Sequence, residues 1–288
     1  MSADAQDWFD QALARPFDRL DVVVDGARIA YRAWGKPDAP CVVLVHGGAA
    51  HSGWWDHVAP YISNDQRVVA LDLSGHGDSD HREAYSLEQW AKEVMAVAGA
   101  QASTAPPIVF GHSMGGFVAL TAGMMFGTEL LGVLAIDSPV REMSAETREV
   151  HARGGKTFGA RVYPTKDEIV ARFRTVPPDA STLAYVCRHI AEQSVHEVEG
   201  GWTWKFDAKI FLRSYMEPAD IAEVACHVAL IRGERGIATT DLNREVIERL
   251  GGHVPISLVP NSGHHIMLDQ PIALIAALLT LTAQWRAR

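Results

Sequence analysis

The chain predicts an α/β fold, a doubly wound and mostly parallel sheet interrupted by a helical insertion. Three observations lead there. Short continuous apolar runs alternate with helix-like stretches along most of the 288 residues. The runs lack the polar/apolar alternation of a half-exposed strand, so helices are expected to cover both faces of the sheet. The alternation stops after Pro139 and resumes at Val228, which places extra chain between two sheet strands.

Taken in order, Asp21 to Val24 and Arg28 to Ala33 flank Asp25-Gly26, a hairpin signal between two β-prone runs. Buried strands are expected at Cys41 to Val45, Arg67 to Leu71, Pro107 to Phe110, Leu131 to Ile136, Val228 to Ile231 and Ile256 to Val259. Helices are expected between them at Trp54 to Ile62, Ser86 to Ala98, Met114 to Phe126, Asp241 to Leu250 and Pro271 to Trp285, the last with proline in its first turn. From Val140 to about Tyr215 the residues are mostly polar and helix-like, with no clear buried strand. An insertion of about 75 residues is long for a plain connection. The expected organisation is a core of residues 1–139 and 216–288 with a cap at 140–215.

Composition narrows the function. Hydrophobic residues make up 48% and charged residues 21%, which are globular values, and the formal charge is −9. An acidic chain offers no basic face for a phosphate backbone, so nucleic acid is not an expected partner. Three cysteines (Cys41, Cys187, Cys226) without a CxxC pair argue against a disulfide framework and for a reducing, cytoplasmic location. The first fifteen residues carry acids and no apolar core of signal-peptide length. The window from Phe117 to Ile136 has the length of a membrane span, but Gly127-Thr128-Glu129 divides it, and a buried helix followed by a buried strand accounts for it. Oligomeric state, monomer or homodimer, is not legible.

Catalytic residue types fall at the ends of the expected strands. Ile108 to Phe110 runs into Gly111-His112-Ser113-Met114-Gly115-Gly116, and an apolar helix follows at once. This strand–turn–helix setting of GxSxG exposes a serine on a tight turn and needs small residues on either side. A serine hydroxyl needs a base, an acid to orient that base, and donors for the oxyanion. Met114 supplies one donor, the amide after the nucleophile; Gly48, in His46-Gly47-Gly48-Ala49 after the Cys41 run, supplies the second. The base is His264 or His265, in a loop just past the last strand. The acid must lie between serine and histidine, and both Asp137 and Glu234 end a strand there. Trp204, in the alternating Trp202-Trp204-Phe206 stretch, and His112 are candidate substrate contacts. The group Asp72, His76, Asp78, Asp80 and His81 invites a metal reading, but hydrogen bonding within its loop explains it, and neither metal nor cofactor is expected.

Together these residues resemble the α/β-hydrolase superfamily, from about residue 21 to 285 outside most of the insertion. His46-Gly47-Gly48 is similar to its HG-x oxyanion loop, Asp72 to Ser79 to its D-x-x-G-x-G-x-S loop, and Gly111 to Gly115 to its nucleophile elbow. Gly263-His264, with Asp269 and Pro271 beyond, resembles its GH-x4-[DE]-x-P ending, which implies His264 rather than His265 as the base. The usual G-x-x-D acid motif is broken: Gly233-Glu234-Arg235-Gly236 has glycine where the aspartate would stand. Some esterases and lactonases of the superfamily carry the acid after the nucleophile's helix instead, and Ile136-Asp137-Ser138-Pro139 resembles that arrangement, so Asp137 is the expected acid and Glu234 the alternative. The resemblance implies a carboxylesterase-like serine hydrolase acting on a small to medium hydrophobic ester or lactone. The same fold also hosts lyases, cofactor-free oxygenases, perhydrolases and non-catalytic binding proteins.

Overall fold

The structure, a computed structural model, describes residues 6–144, 146, 149 and 161–287. Strands β1 (Asp18–Val24) and β2 (Ala27–Trp34) form the expected hairpin, with Asp25 and Gly26 at φ 46° and 81° in the turn. β2 pairs antiparallel with β4 (Arg67–Leu71). Every further pairing in this sheet is parallel: β4 with β3 (Cys41–Val45), β3 with β5 (Ile108–His112), β5 with β6 (Gly132–Ile136), β6 with β9 (His227–Gly233), and β9 with β10 (Ile256–Val259). The resulting order is β1-β2-β4-β3-β5-β6-β9-β10.

Two apolar layers explain the unbroken runs. Val43, Val45, Val69, Leu71, Val109 and Val133 face one core, with α3 (Leu87–Gly99) and α4 (Met114–Phe126). Their sequence neighbours Val42, Leu44, Val68, Ala70, Ile108 and Leu134 face the other, with α2 (Ala59–Ile62) and α8 (Pro271–Arg286). Side chains alternate across a strand, so a strand buried on both faces must be apolar at every position. Ser86 caps α3 through the Gln89 amide, and Thr239 caps α7 (Thr240–Arg249) through Leu242.

Three elements differ from expectation. Residues 54–62 form no single helix but a 3₁₀ turn at Ser52–Trp55 followed by α2. Pro60 has no amide hydrogen and fits only the start of a helix, so the helix begins again around it. A short helix, α1 (Asp7–Leu13), lies near the N-terminus and buries Phe9 and Ala12. The insertion is not strand-free: after α5 (Lys166–Val170) and α6 (Ala184–Gln193) it contains the antiparallel pair β7 (Val195–Val198) and β8 (Gly201–Trp204). Gly200 and Gly201, at φ 85° and 144°, make the turn between them. Most of these eight residues are half-buried or exposed, so no apolar run announced them. Part of the expected cap, residues 145, 147–148 and 150–160, lies outside the described residues.

The described part of the insertion is tied to the core at several points. Leu183 N–H donates to the Leu268 carbonyl at 2.7 Å, Gly77 N–H to Lys205 at 2.8 Å, and Asp207 N–H to Gly75 at 2.8 Å. Arg32 of β2 clasps Asp56, and His189 and Gln193 of α6 bond the same carboxylate at 2.9 and 3.0 Å.

Candidate active site

The carboxyl ends of β3, β5, β6, β9 and β10 meet along one edge of the sheet, and each delivers one part of the site. β5 ends at His112 and α4 starts at Met114, so the whole turn is Ser113, at φ 54° and ψ −117°. That conformation is unfavourable for a non-glycine residue and points to function. It is held from both sides. The Ser113 amide donates to Ile136 of β6 at 2.9 Å, and a Cβ on Gly111 would collide with the Gly115 carbonyl oxygen. A Cβ on Gly115 would lie 2.5 Å from the carbonyl oxygens of both Val45 and His46, so the helix can approach β3 only as glycine.

His264 Nε2 lies 3.0 Å from Ser113 Oγ, and its Nδ1 lies 2.7 Å from Asp137 Oδ2. Asp137 is fully buried at the end of β6, with φ 45°. Its carboxylate also accepts the Gly233 amide at 3.1 Å and the Ile237 amide at 2.9 Å. These contacts fix the tautomer of the imidazole: Nδ1–H donates to Asp137 and Nε2 is left to accept from Ser113.

The alternative acid is turned elsewhere. Glu234 Oε2 accepts the Asn261 amide at 2.8 Å. Gly236 explains how Asp137 reaches the histidine: a Cβ on residue 236 would fall on Asp137 Oδ1. The place where the commoner motif has an aspartate side chain is filled by the carboxylate of Asp137.

On the other flank, a Cβ on Gly48 would lie 3.7 Å from Met114 Sδ and 4.0 Å from Met114 Cβ, so the glycine loop rests against the first residue of α4. The first amides of a helix have no intrahelical acceptor, and the Ser113 side chain does not cap these. Amide hydrogens and the positive end of the helix dipole therefore face the space beside Ser113.

Neutral rings surround the base. His265, 4.6 Å from His264 between centroids, is pushed down to about 3 by burial and then by His264. Burial, then His264 and His265, hold His112 well below the usual histidine range. His112, proposed above as a substrate contact, is instead 2% exposed, and its Nε2–H donates to the His264 carbonyl at 2.9 Å, supporting the histidine loop from beneath. A buried ring next to two other imidazoles has no room to face a ligand. Trp204 is half-buried and belongs to an aromatic series: its ring lies 6.4 Å from Phe173, Phe173 lies 6.3 Å from Trp54, and Trp54 lies 5.5 Å from His265. The other two aromatics do not join it. Trp202 pairs with Tyr163, and Phe206 packs on Phe211 and the main core. Asp72 accepts the amides of Ser52 and Asp78 at 2.6 and 2.8 Å, which accounts for its place in the acid/histidine loop.

Two contributions were not visible in the sequence. Phe173 and Trp54 complete the aromatic series. From the insertion, Asp179 packs on Gly263, where a Cβ would meet its Oδ2, and Arg235 Nη2 donates to Ser181 Oγ at 3.1 Å. Only contacts between residues more than thirty positions apart reveal them.

A family model described as "Alpha/beta hydrolase family" matches residues 42–278. Among curated proteins, the chain is 28% identical over 272 residues to Esterase Rv0045c of Mycobacterium tuberculosis, covering 90% of this chain and 88% of that protein. It is 25% identical over 252 residues to 2-(acetamidomethylene)succinate hydrolase of Mesorhizobium japonicum, covering 84% and 88%. Among solved structures, E-2-(acetamidomethylene)succinate hydrolase superposes with a TM-score of 0.78 at 21% identity, covering 92% of this chain and 98% of the other, a likeness of fold.

Proposed function

The chain belongs to the alpha/beta hydrolase family, and on that premise we propose that it is a serine hydrolase cleaving a carboxylic ester, or a related acyl bond such as a lactone, through an acyl-enzyme. The observation that carries this reading is the continuous series Ser113 Oγ, His264 and Asp137, at 3.0 and 2.7 Å, on a strained elbow beside free helix amides. Relatives named as esterases and hydrolases support hydrolysis as the reaction class.

In the proposed mechanism Ser113 Oγ attacks the carbonyl carbon while His264 Nε2 takes its proton. The imidazolium that forms is stabilised by Asp137, whose charge is itself held by the Gly233 and Ile237 amides. The amides of Gly48 and Met114 receive the oxyanion. His264 returns the proton to the leaving alcohol, and water repeats the sequence on the acyl-enzyme. Each proton and bond is accounted for by these side chains, so the scheme calls for no metal or organic cofactor. The described part of residues 140–215 acts as the cap over the crevice, and Trp54, Phe173 and Trp204 form an apolar wall for a small to medium acyl or alkyl group.

The test is turnover of a γ-lactone to its hydroxy acid and of p-nitrophenyl esters of two to eight acyl carbons, with acid and p-nitrophenol quantified for the esters. Equal release of both is expected, with a loss of at least about a thousandfold in Ser113→Ala. Turnover independent of Ser113, or none on any substrate, would overturn the proposal.

A further inference from the structure

The segment that returns from the insertion to the sheet carries a cation with no counter-ion among the described residues. Arg213 Nη1 donates to the Ser214 carbonyl at 2.9 Å, while Nε is sealed from solvent and has no acceptor. None of the ion pairs among the described residues includes it. Its guanidinium carbon lies 4.7 Å from the centre of the Tyr215 ring and 5.7 Å from that of Trp90. Burial lowers its pKa to about 10, which leaves it charged at neutral pH.

A second orphan lies against the same tryptophan. The His76 ring is 5.6 Å from Trp90 and fully buried, and its Nδ1 faces the Ser74 carbonyl at 3.2 Å. Its Nε2 has no partner. The charge of Arg213 acts on this ring, and His76 in turn packs 4.8 Å from His46, the residue before Gly47. Ile210 and Met216, on either side of Arg213, share one apolar cluster with Met114 and Phe117 of the elbow helix. A series of ring contacts, Arg213 to Trp90, Trp90 to His76 and His76 to His46, thus links the unpaired cation to the loop that carries Gly47 and Gly48.

A half-buried charge without a partner loses part of its hydration, and aromatic faces offset only part of that loss. A planar guanidinium with Nε and Nη2 unused presents the fork that binds a carboxylate at two points. A chain of net charge −9 repels anions at long range, so such a ligand needs a local cation. We propose that Arg213 binds the carboxylate of an anionic substrate, so that the ester or related acyl compound cleaved at Ser113 carries a free acid group. This inference rests on the hydrolase reading and narrows its substrate class.

The experiment compares kcat/KM for two matched pairs: mono-p-nitrophenyl succinate against p-nitrophenyl pentanoate, and 4-acetoxybenzoate against phenyl acetate. The first pair places the acid on the acyl side and the second on the alcohol side. In Arg213→Met the anionic-to-neutral ratio of at least one pair is expected to fall tenfold or more. If Arg213→Met does not fold, Arg213→Lys serves, since an ammonium cannot make the two-point contact, and the ratio is expected to fall several-fold. Unchanged ratios in both pairs would overturn the proposal, leaving Arg213 a packing residue bridged by water. Calorimetric titration of succinate into Ser113→Ala, with and without Arg213→Met, separates this from failure of the hydrolase reading. If no ester is turned over, that reading fails and the titration decides the anion site alone. Equal binding by both proteins would refute the site. Arg213-dependent binding of succinate with unmoved ester ratios would refute its role in substrate recognition.

Discussion

Replacing Asp137 with asparagine should silence the protein while leaving it folded. The carboxylate is fully buried and accepts three hydrogens: Gly233 N–H on Oδ1, Ile237 N–H and His264 Nδ1–H on Oδ2. An asparagine has one oxygen, so its amide group must face at least one of these donors. If it faces His264, it demands the opposite tautomer, and Nε2 then carries a hydrogen and cannot accept from Ser113. If it faces Gly233, the tautomer survives but the imidazolium loses its counter-charge. The unpaired donors cost about 1–3 kcal/mol of stability. The loss in kcat should be about four orders of magnitude, or about 5 kcal/mol of barrier. Initial rates on a p-nitrophenyl ester, with circular dichroism melts, measure both. Glu234→Gln is the matched control, since among the described residues its carboxylate accepts only the Asn261 amide, and it should retain activity within about threefold. Asp137→Asn within tenfold of wild type, or Glu234→Gln down a hundredfold, would refute the reasoning.

Further outcomes follow from the same geometry. Gly236→Ala puts a methyl group where Asp137 Oδ1 now lies, and steady-state kinetics should show kcat falling more than about tenfold. Gly111→Ala drives a methyl group into the Gly115 carbonyl, and urea unfolding should register a loss of about 3 kcal/mol or more, or no folded protein. Burial, the largest cause for each, pushes His51 and His57 down to about 4 and His265 to about 3 from the usual 6.5. Between those values the unfolded chain binds more protons, so stability rises with pH and is lost as pH falls from about 6.5 towards 4. Each histidine contributes a slope of about 1.4 kcal/mol per pH unit. Urea midpoints should therefore drop steeply from pH 7 to pH 5, and His57→Gln should flatten the slope; a flat wild-type profile would contradict this.

Sequence was informative where chemistry is local. β3 to β6 are legible because both faces are covered, so every residue had to be apolar. The nucleophile turn is legible in part because the clash that requires glycine at 111 is with Gly115, four residues on. β7 and β8 are not, because four half-exposed residues each carry no pattern and their turn resembles any glycine pair. The acid stands between these cases. Residues 137 and 236 are nearly a hundred positions apart, and only their meeting in space shows that one carboxylate fills the place of the other. His112 misled for the opposite reason: next to the nucleophile in sequence, it points under the histidine loop.

The central claim is that Ser113 is the residue that becomes acylated. A fluorophosphonate, which captures only an activated serine, should add once to the protein, and peptide mass spectrometry should place the adduct on Ser113. The adduct should vanish in Ser113→Ala and form orders of magnitude more slowly in His264→Ala. No adduct, or an adduct on another serine with Ser113 unmodified, would contradict the account.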